Sequence, residues 1–348
     1  MIFKQHGPTM TDEVNSDKNA KRIDEIMNAV RLRYIKSPRD HQLREMFDWL
    51  IARGNLRVMP NQTGDGKRRV EGRVVAVPGQ SGAGKTTAIE RMLAQHPDLP
   101  DFGKPSCPVI SVTTPGSCTL KTLGRAILWR LGYPLQVDRK EHEVWEMVQI
   151  RLTTLGTKLI YIDELQNVTK DAKKNEAPRI RNTLKSLLNN QENPICLLLS
   201  GTPEIQQFIE EDTQIRRRTR FVLFRSFCES DTAAIKGTVK TLVETSGLTV
   251  DFRGQLAQRL LHAGLDELGT AIEISIEAIE IALQSSATIA TREHFAIAYA
   301  RRTQNAAPAN PFVANNWRAI DCRRVGMTNP NERDPKNDPK PTRRRRKN

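Results

Sequence analysis

The sequence predicts an α/β fold: a parallel sheet covered by helices, built around a glycine-rich loop, with a small α-helical domain after it. Three observations predict it. Short β-branched runs alternate with helical stretches between Arg73 and Leu199, the pattern of strand–helix crossovers in a parallel sheet. One crossover carries glycines at fixed spacing between a hydrophobic strand and an amphipathic helix. From about Asp231 the strand signals fade and helical spacing takes over.

Taken in order, residues 1–20 are polar and read as a flexible N-terminus. Ile23, Ile26, Met27 and Val30, then Leu43, Met46, Phe47 and Leu50, recur at helical spacing, with Ser37-Pro38 between the two runs. Residues 21–59 are therefore expected to form an N-terminal helical segment of two helices. A turn-rich connector at 60–72 opens the core domain, residues 60–230. Arg73–Val77 is its first strand, and the helix after the loop presents Ile89, Met92 and Leu93 on one face. Strands at Val109–Val112, Leu159–Ile162 and Ile195–Leu199 follow, with helices at Leu120–Leu131 and Ile180–Leu188. Residues 231–303 read as the helical domain. Within it Ile272, Ile274 and Ile276 alternate like a strand, but Ile272, Ile276, Ile279 and Leu283 fit a helix, and the length favours the helix. Residues 304–348, rich in Asn, Pro and Arg, read as an extended tail.

The 348 residues, 38% hydrophobic and 27% charged, suit a globular chain with a full core. No apolar run approaches the roughly 18 residues that cross a bilayer, and Met1–His6 lacks the apolar core of a signal peptide, so no membrane partner and a cytoplasmic location are expected. The five cysteines and six histidines are dispersed, without disulfide-framework or zinc spacing. Net charge is +14; residues 329–348 carry +5 of it, leaving +9 on the rest. A basic body as well as a basic tail suits a polyanion, and the phosphate contacts that would bind it read no sequence.

The glycine loop is Gly79-Gln80-Ser81-Gly82-Ala83-Gly84-Lys85-Thr86, a complete G-x-x-x-x-G-K-[ST], with Thr87 next. Glycines let backbone N–H groups turn inward onto phosphate oxygens at a helix N-terminus. Lys85 is placed to reach the β- and γ-phosphates of ATP, and the Thr86 hydroxyl to ligate Mg²⁺. The third strand ends in Asp163-Glu164, one carboxylate for the magnesium and the next to orient and deprotonate the attacking water. The fourth strand runs into Ser200-Gly201-Thr202, where Ser200 or Thr202 is the candidate γ-phosphate sensor; the alternative is a helix cap at Thr202. Arg216, Arg217, Arg218 and Arg220 form a cluster from which one guanidinium could act as a finger in trans; the alternative is a solvated basic face.

These motifs, in this order, resemble the AAA+ ATPases, and more narrowly the TniB/TnsC regulators of DNA transposition. The narrower resemblance rests on Arg57-Val58-Met59-Pro60-Asn61, Ile162-Asp163-Glu164-Leu165-Gln166-Asn167, Leu199-Ser200-Gly201-Thr202-Pro203-Glu204, and Asn310-Pro311-Phe312 with Trp317, over about residues 21–322. It departs at Gln62–Gly72, inserted before the loop strand, and at Ile272, where many AAA+ lids carry an arginine. The resemblance implies a P-loop AAA+ core with Walker A and Walker B motifs, followed by a helical lid. It implies Mg²⁺-dependent ATP hydrolysis and a homo-oligomeric ring or filament on duplex DNA, independent of DNA sequence. It also implies recruitment of a transposase, with a target-selection protein as a further partner. Thr119, Lys121 and Thr122 would be the stretch that corresponds to that family's DNA-contacting loop; the alternative is that Lys121 is simply an exposed helix residue. Asn310, Pro311, Phe312 and Trp317 would be a transposase-docking segment with exposed rings, unless the rings fold back onto the lid. Arg343–Lys347 would add sequence-independent DNA attraction. An origin-type loader and a nucleotide-switched protein scaffold are the competing readings; the first predicts a winged helix after the lid, the second no salt-dependent DNA binding.

Overall fold

The structure, a computed structural model, describes residues 10–54, 71–104, 106–170 and 176–329. Arg57–Asn61, Gln62–Val70 of the insertion and Arg343–Lys347 lie outside the described residues. Along the chain run α1 (Met10–Leu32), α2 (Pro38–Gly54), β1 (Val74–Pro78), α3 (Lys85–Ala94), β2 (Val109–Thr113), α4 (Leu120–Arg130), α5 (Glu141–Thr154) and β3 (Leu159–Asp163). There follow α6 (Asn167–Lys170), α7 (Glu176–Asn189), β4 (Cys196–Gly201), α8 (Glu204–Glu210), α9 (Thr213–Arg216) and β5 (Thr219–Phe221). The rest comprises α10 (Thr232–Thr245), β6 (Thr249–Val250), α11 (Leu256–Ala263), α12 (Leu268–Gln284), β7 (Ile289–Ala290) and α13 (Arg292–Thr303), with 3₁₀ turns at Ala307–Ala309 and Trp317–Ala319.

The chain divides into two compact units, Lys36–Ser226 and a second made of Met1–Ile35 with Phe227–Asn348. In the first, five parallel strands lie in the order β2-β3-β4-β1-β5. Parallel strands buried on both faces need near-continuous apolar residues, which β1 supplies throughout and β3 and β4 supply up to Asp163 and Ser200 at their carboxyl ends. The two-residue period sorts them. Val74, Ala76, Ile160, Ile162, Leu197 and Leu199 face α4, α5, α7 and α8, while Val75, Val77, Leu159, Tyr161 and Leu198 face α2 and α3. β5 and α5 go beyond the sequence expectation. β5 is only three residues long, and α5 buries Val144, Val148 and Leu152 along one stripe.

In the second unit α1, α10, α11, α12 and α13 surround one apolar core, and the ambiguous isoleucine segment is helix α12. Three sequence expectations are corrected. The helix begins at Met10, within the stretch expected to be loose, because no proline or glycine interrupts Thr9–Ser37 and a nucleated helix propagates cheaply. Residues 21–59 do not form one segment. Met27 and Val30 of α1 belong to the helical core, whereas Leu43, Phe47 and Leu50 of α2 pack beneath the sheet. Residues 304–329 are no extended tail, since Phe312, Trp317 and Ile320 enter the helical core.

Candidate active site

The glycine loop, the acidic pair and Ser200 lie at the carboxyl ends of β1, β3 and β4. β4 pairs with both β1 and β3, so the glycine loop and Asp163-Glu164 flank Ser200 on the intervening strand. In parallel α/β sheets this end is where ligands bind.

The loop from Gly79 to Gly84 is shaped by its glycines. Gly82 and Gly84 take φ of 81° and 83°, left-handed conformations that L side chains rarely adopt. Gly79 is closed in differently: a Cβ there would lie 2.6 Å from the Phe224 carbonyl oxygen. Its N–H donates to the Gly201 carbonyl at 3.1 Å, fixing the loop to the end of β4. Gly84 caps α3 without a side chain, so the cap offers no internal acceptor to the N–H groups of the first turn. Lys85 is buried, and its ammonium donates to the carbonyls of Gly79 at 2.7 Å and Gln80 at 2.9 Å. Gln80, Ser81 and Thr87 are exposed; Ala83 is buried.

Thr86 Oγ1 donates to Asp163 Oδ2 at 2.7 Å. The other carboxylate oxygen of Asp163 accepts from the Glu164 N–H at 2.9 Å and from the Ser200 hydroxyl, which lies 3.1 Å from the Tyr161 hydroxyl. Burial, and after it the Asp163 charge, push the Tyr161 phenol above its usual range, so it stays a neutral partner. Ser200 is thereby committed to Asp163. Thr202 differs: its hydroxyl oxygen is buried with no hydrogen-bond partner among the described residues. Of the two sensor candidates, Thr202 is the one with unused hydrogen-bonding capacity.

Glu164 occupies a left-handed backbone conformation, φ 56°, uncommon for a non-glycine residue. Its carbonyl accepts from the Thr114 hydroxyl at 2.6 Å, and its carboxylate accepts from the Gln166 side-chain amide. Tyr161, Thr114 and Gln166 received no role from the sequence. The available signal was position, since Tyr161 and Gln166 each lie two residues from an acidic residue of the pair.

The four arginines part company. Arg218 is buried, with Nη2 at 2.8 Å from Glu71 and Nη1 donating to Asn189 at 2.7 Å. Arg220 is exposed and lies over the Trp49 ring, 4.0 Å from its centroid, and Arg216 lies over Phe221 at 5.2 Å. Arg217 is exposed. For Arg218 a finger reaching a neighbouring subunit is replaced by a structural pair. Arg216, Arg217 and Arg220 keep solvent access.

Thr119, Lys121 and Thr122 sit at the start of α4. Thr119 and Thr122 form a reciprocal capping box, Thr122 N–H to Thr119 Oγ1 at 3.2 Å and Thr119 N–H to Thr122 Oγ1 at 2.8 Å. Lys121 pairs with exposed Asp138 at 2.7 Å. The docking segment is corrected most. Phe312 lies 5.8 Å from the Phe295 ring and 6.0 Å from the Tyr299 ring, and Trp317 meets His262 edge-on at 5.3 Å. Asn310 donates to the Ala296 carbonyl at 2.8 Å, and the Pro311 carbonyl accepts from Arg259 at 2.5 Å. These rings are not exposed anchors. Apolar area of this size is worth more inside a core than in water.

A family model described as Bacterial TniB protein matches residues 31–227, more than half of the chain. Among solved structures, Orc1 of Aeropyrum pernix in complex with DNA is 17% identical, with a TM-score of 0.56 over 80% of this chain and 69% of that one. The ORC2 protein of the same organism in ADPNP–ADP complexes is 16% identical, TM-score 0.51, over 79% and 72%. Drosophila ORC bound to DNA is 13% identical, TM-score 0.52, over 87% and 70%. Likeness at this identity shows the fold alone, the parallel sheet flanked by helices described above. No curated protein matches the sequence.

Proposed function

The chain belongs to the bacterial TniB family, and from that premise we propose that it is a Mg²⁺-dependent ATPase that assembles on duplex DNA and recruits or activates a transposase. One observation carries the ATPase reading. The left-handed glycine loop and the Asp163-Glu164 pair flank a single strand whose Ser200 holds Asp163.

Lys85 exchanges its two loop carbonyls for phosphate oxygens, and backbone N–H groups of the loop wrap the same phosphates. The residues present fit magnesium: the Thr86 hydroxyl and Asp163 carboxylate are hard oxygen donors already 2.7 Å apart. Bound there, the ion would neutralise charge on the β- and γ-phosphates. Glu164 orients the attacking water and takes its proton, and Thr202 faces the γ-phosphate with its free hydroxyl. One of Arg216, Arg217 and Arg220 completes the site of a neighbouring protomer.

Duplex DNA as partner is supported by the basic body and by the DNA complexes of two proteins that share the fold. Lys85→Ala should abolish ATP binding, and Glu164→Gln should bind ATP without turning it over; nucleotide titration and phosphate release measure both. Turnover at the wild-type rate in Glu164→Gln would remove that residue from the mechanism. DNA binding insensitive to salt, or absent with a non-hydrolysable ATP analogue, would favour the scaffold reading instead.

A further inference from the structure

Gln166 is 3% exposed, on the turn that follows the acidic pair. The two ends of its amide reach opposite sides of the site. The oxygen accepts the Thr202 backbone N–H at 3.1 Å, and the nitrogen donates to Glu164 Oε2. The orientation of the amide is fixed by chemistry. A backbone N–H only donates, so it must face the oxygen, and the NH₂ is left for the carboxylate. Around it the backbone is held tightly. The Thr114 hydroxyl grips the Glu164 carbonyl at 2.6 Å, and the Leu165 N–H reaches the Ser200 carbonyl at 3.0 Å. Gly201 keeps the place open, since a Cβ there would lie 2.4 Å from the Gln166 amide oxygen.

We propose that Gln166 is the positioning residue for Glu164. Its N–H fixes one carboxylate oxygen and leaves the other for the attacking water. Its carbonyl ties that arrangement to Thr202, the residue with the unused hydroxyl. The left-handed backbone of Glu164 aims the side chain coarsely, and a glutamate still has three rotatable bonds that set where its carboxylate oxygens lie. The amide removes that freedom. Movement of the turn at Thr202 would then be felt at the carboxylate through one buried side chain.

The role of Gln166 rests on Glu164 as the water-activating residue, and the experiment separates the two. Gln166→Ala removes both amide contacts. Gln166→Glu keeps the size and the acceptor for Thr202 but loses the donor to Glu164. Nucleotide affinity, turnover and thermal midpoint are measured for both variants beside Glu164→Gln. Positioning predicts turnover lower on the order of 100-fold in both, from a misplaced catalytic group, with ATP-analogue affinity within about twofold of wild type. Gln166→Glu turning over like wild type would overturn the proposal, because the amide N–H would then do nothing. Lost nucleotide affinity or a collapsed midpoint in Gln166→Glu would make the glutamine structural and also overturn it. If instead Glu164→Gln turns over normally, the active-site assignment fails first.

Discussion

Replacing Phe312 by alanine removes a ring that is 1% exposed and wedged against Phe295 and Tyr299. The neighbouring backbone anchors, Asn310 to Ala296 and Arg259 to Pro311 and Ala314, are untouched, so the segment stays in place and the cavity cannot fully close. Truncations of this kind cost about 3–5 kcal/mol. For a unit of this size, with roughly 3–5 °C lost per kcal/mol, the midpoint of the helical unit should fall by about 10 °C or more. Calorimetry measures it, with the ATP-analogue shift of the sheet unit's transition as a control for an intact nucleotide site. Val313→Ala, at a position 47% exposed on the same segment, should change little. A Phe312→Ala protein within about 1 kcal/mol of wild type, yet defective in binding a transposase, would refute the capping role and restore the docking segment.

Three further outcomes follow from the site. Ser200→Ala removes one of the two donors to Asp163 Oδ1, leaving only the Glu164 N–H, and takes the Ser200 hydroxyl away from Tyr161, so Mg²⁺-dependent nucleotide affinity should fall about 10–100-fold; titration with and without the ion checks it, and an unchanged ion dependence would remove Ser200 from the site. Arg218→Ala strips Glu71 and Asn189 of a buried partner and should cost about 1.5–3 kcal/mol, read as a lower midpoint; its turnover should not be restored by mixing with Lys85→Ala, whereas that of a finger variant at Arg216, Arg217 or Arg220 should be. Lys121→Ala releases Asp138 and, if the stretch meets DNA, should weaken binding and lower the salt slope by roughly one, measured by salt titration.

How much was legible depended on whether chemistry or packing set the residue. Gly79–Thr86 could be read because each position answers a local demand: a positive φ at Gly82 and Gly84, a close approach at Gly79, a cation at Lys85. Asp163-Glu164 stood out because two carboxylates end an otherwise apolar strand, and the sheet sets that strand end beside β4, next to the glycine loop. Phe312 and Trp317 are hard to place from the sequence because Pro308, Asn310 and Pro311 signal irregular backbone, which in most chains lies at the surface. Here Asn310 and Arg259 satisfy the irregular backbone from within, so a segment without regular structure can still close a core. α1 and α2 misled for a related reason. Helical periodicity shows that a face is apolar, not which core receives it.

The arginine cluster shows the same limit at the scale of single residues. In the sequence it is one basic run, four arginines in five positions, and charge gives no means to rank them. In the structure the chain leaves α9 at Arg216, turns through Arg217 and Arg218, and enters β5 at Thr219, so successive side chains leave in different directions. Arg218 meets Glu71 and Asn189 in a buried place, where an unpaired guanidinium would be costly, so its pair is a condition of folding. Arg220 spends its flat face on Trp49 of α2, the helix beneath the sheet, and keeps its edges toward solvent. Only a side chain that folding does not require can be given over to a neighbour's phosphate. That condition favours Arg217 over Arg216, which lies over Phe221, and over Arg220, which lies closer still to its ring, and it sets the order in which the mixing experiment should be read.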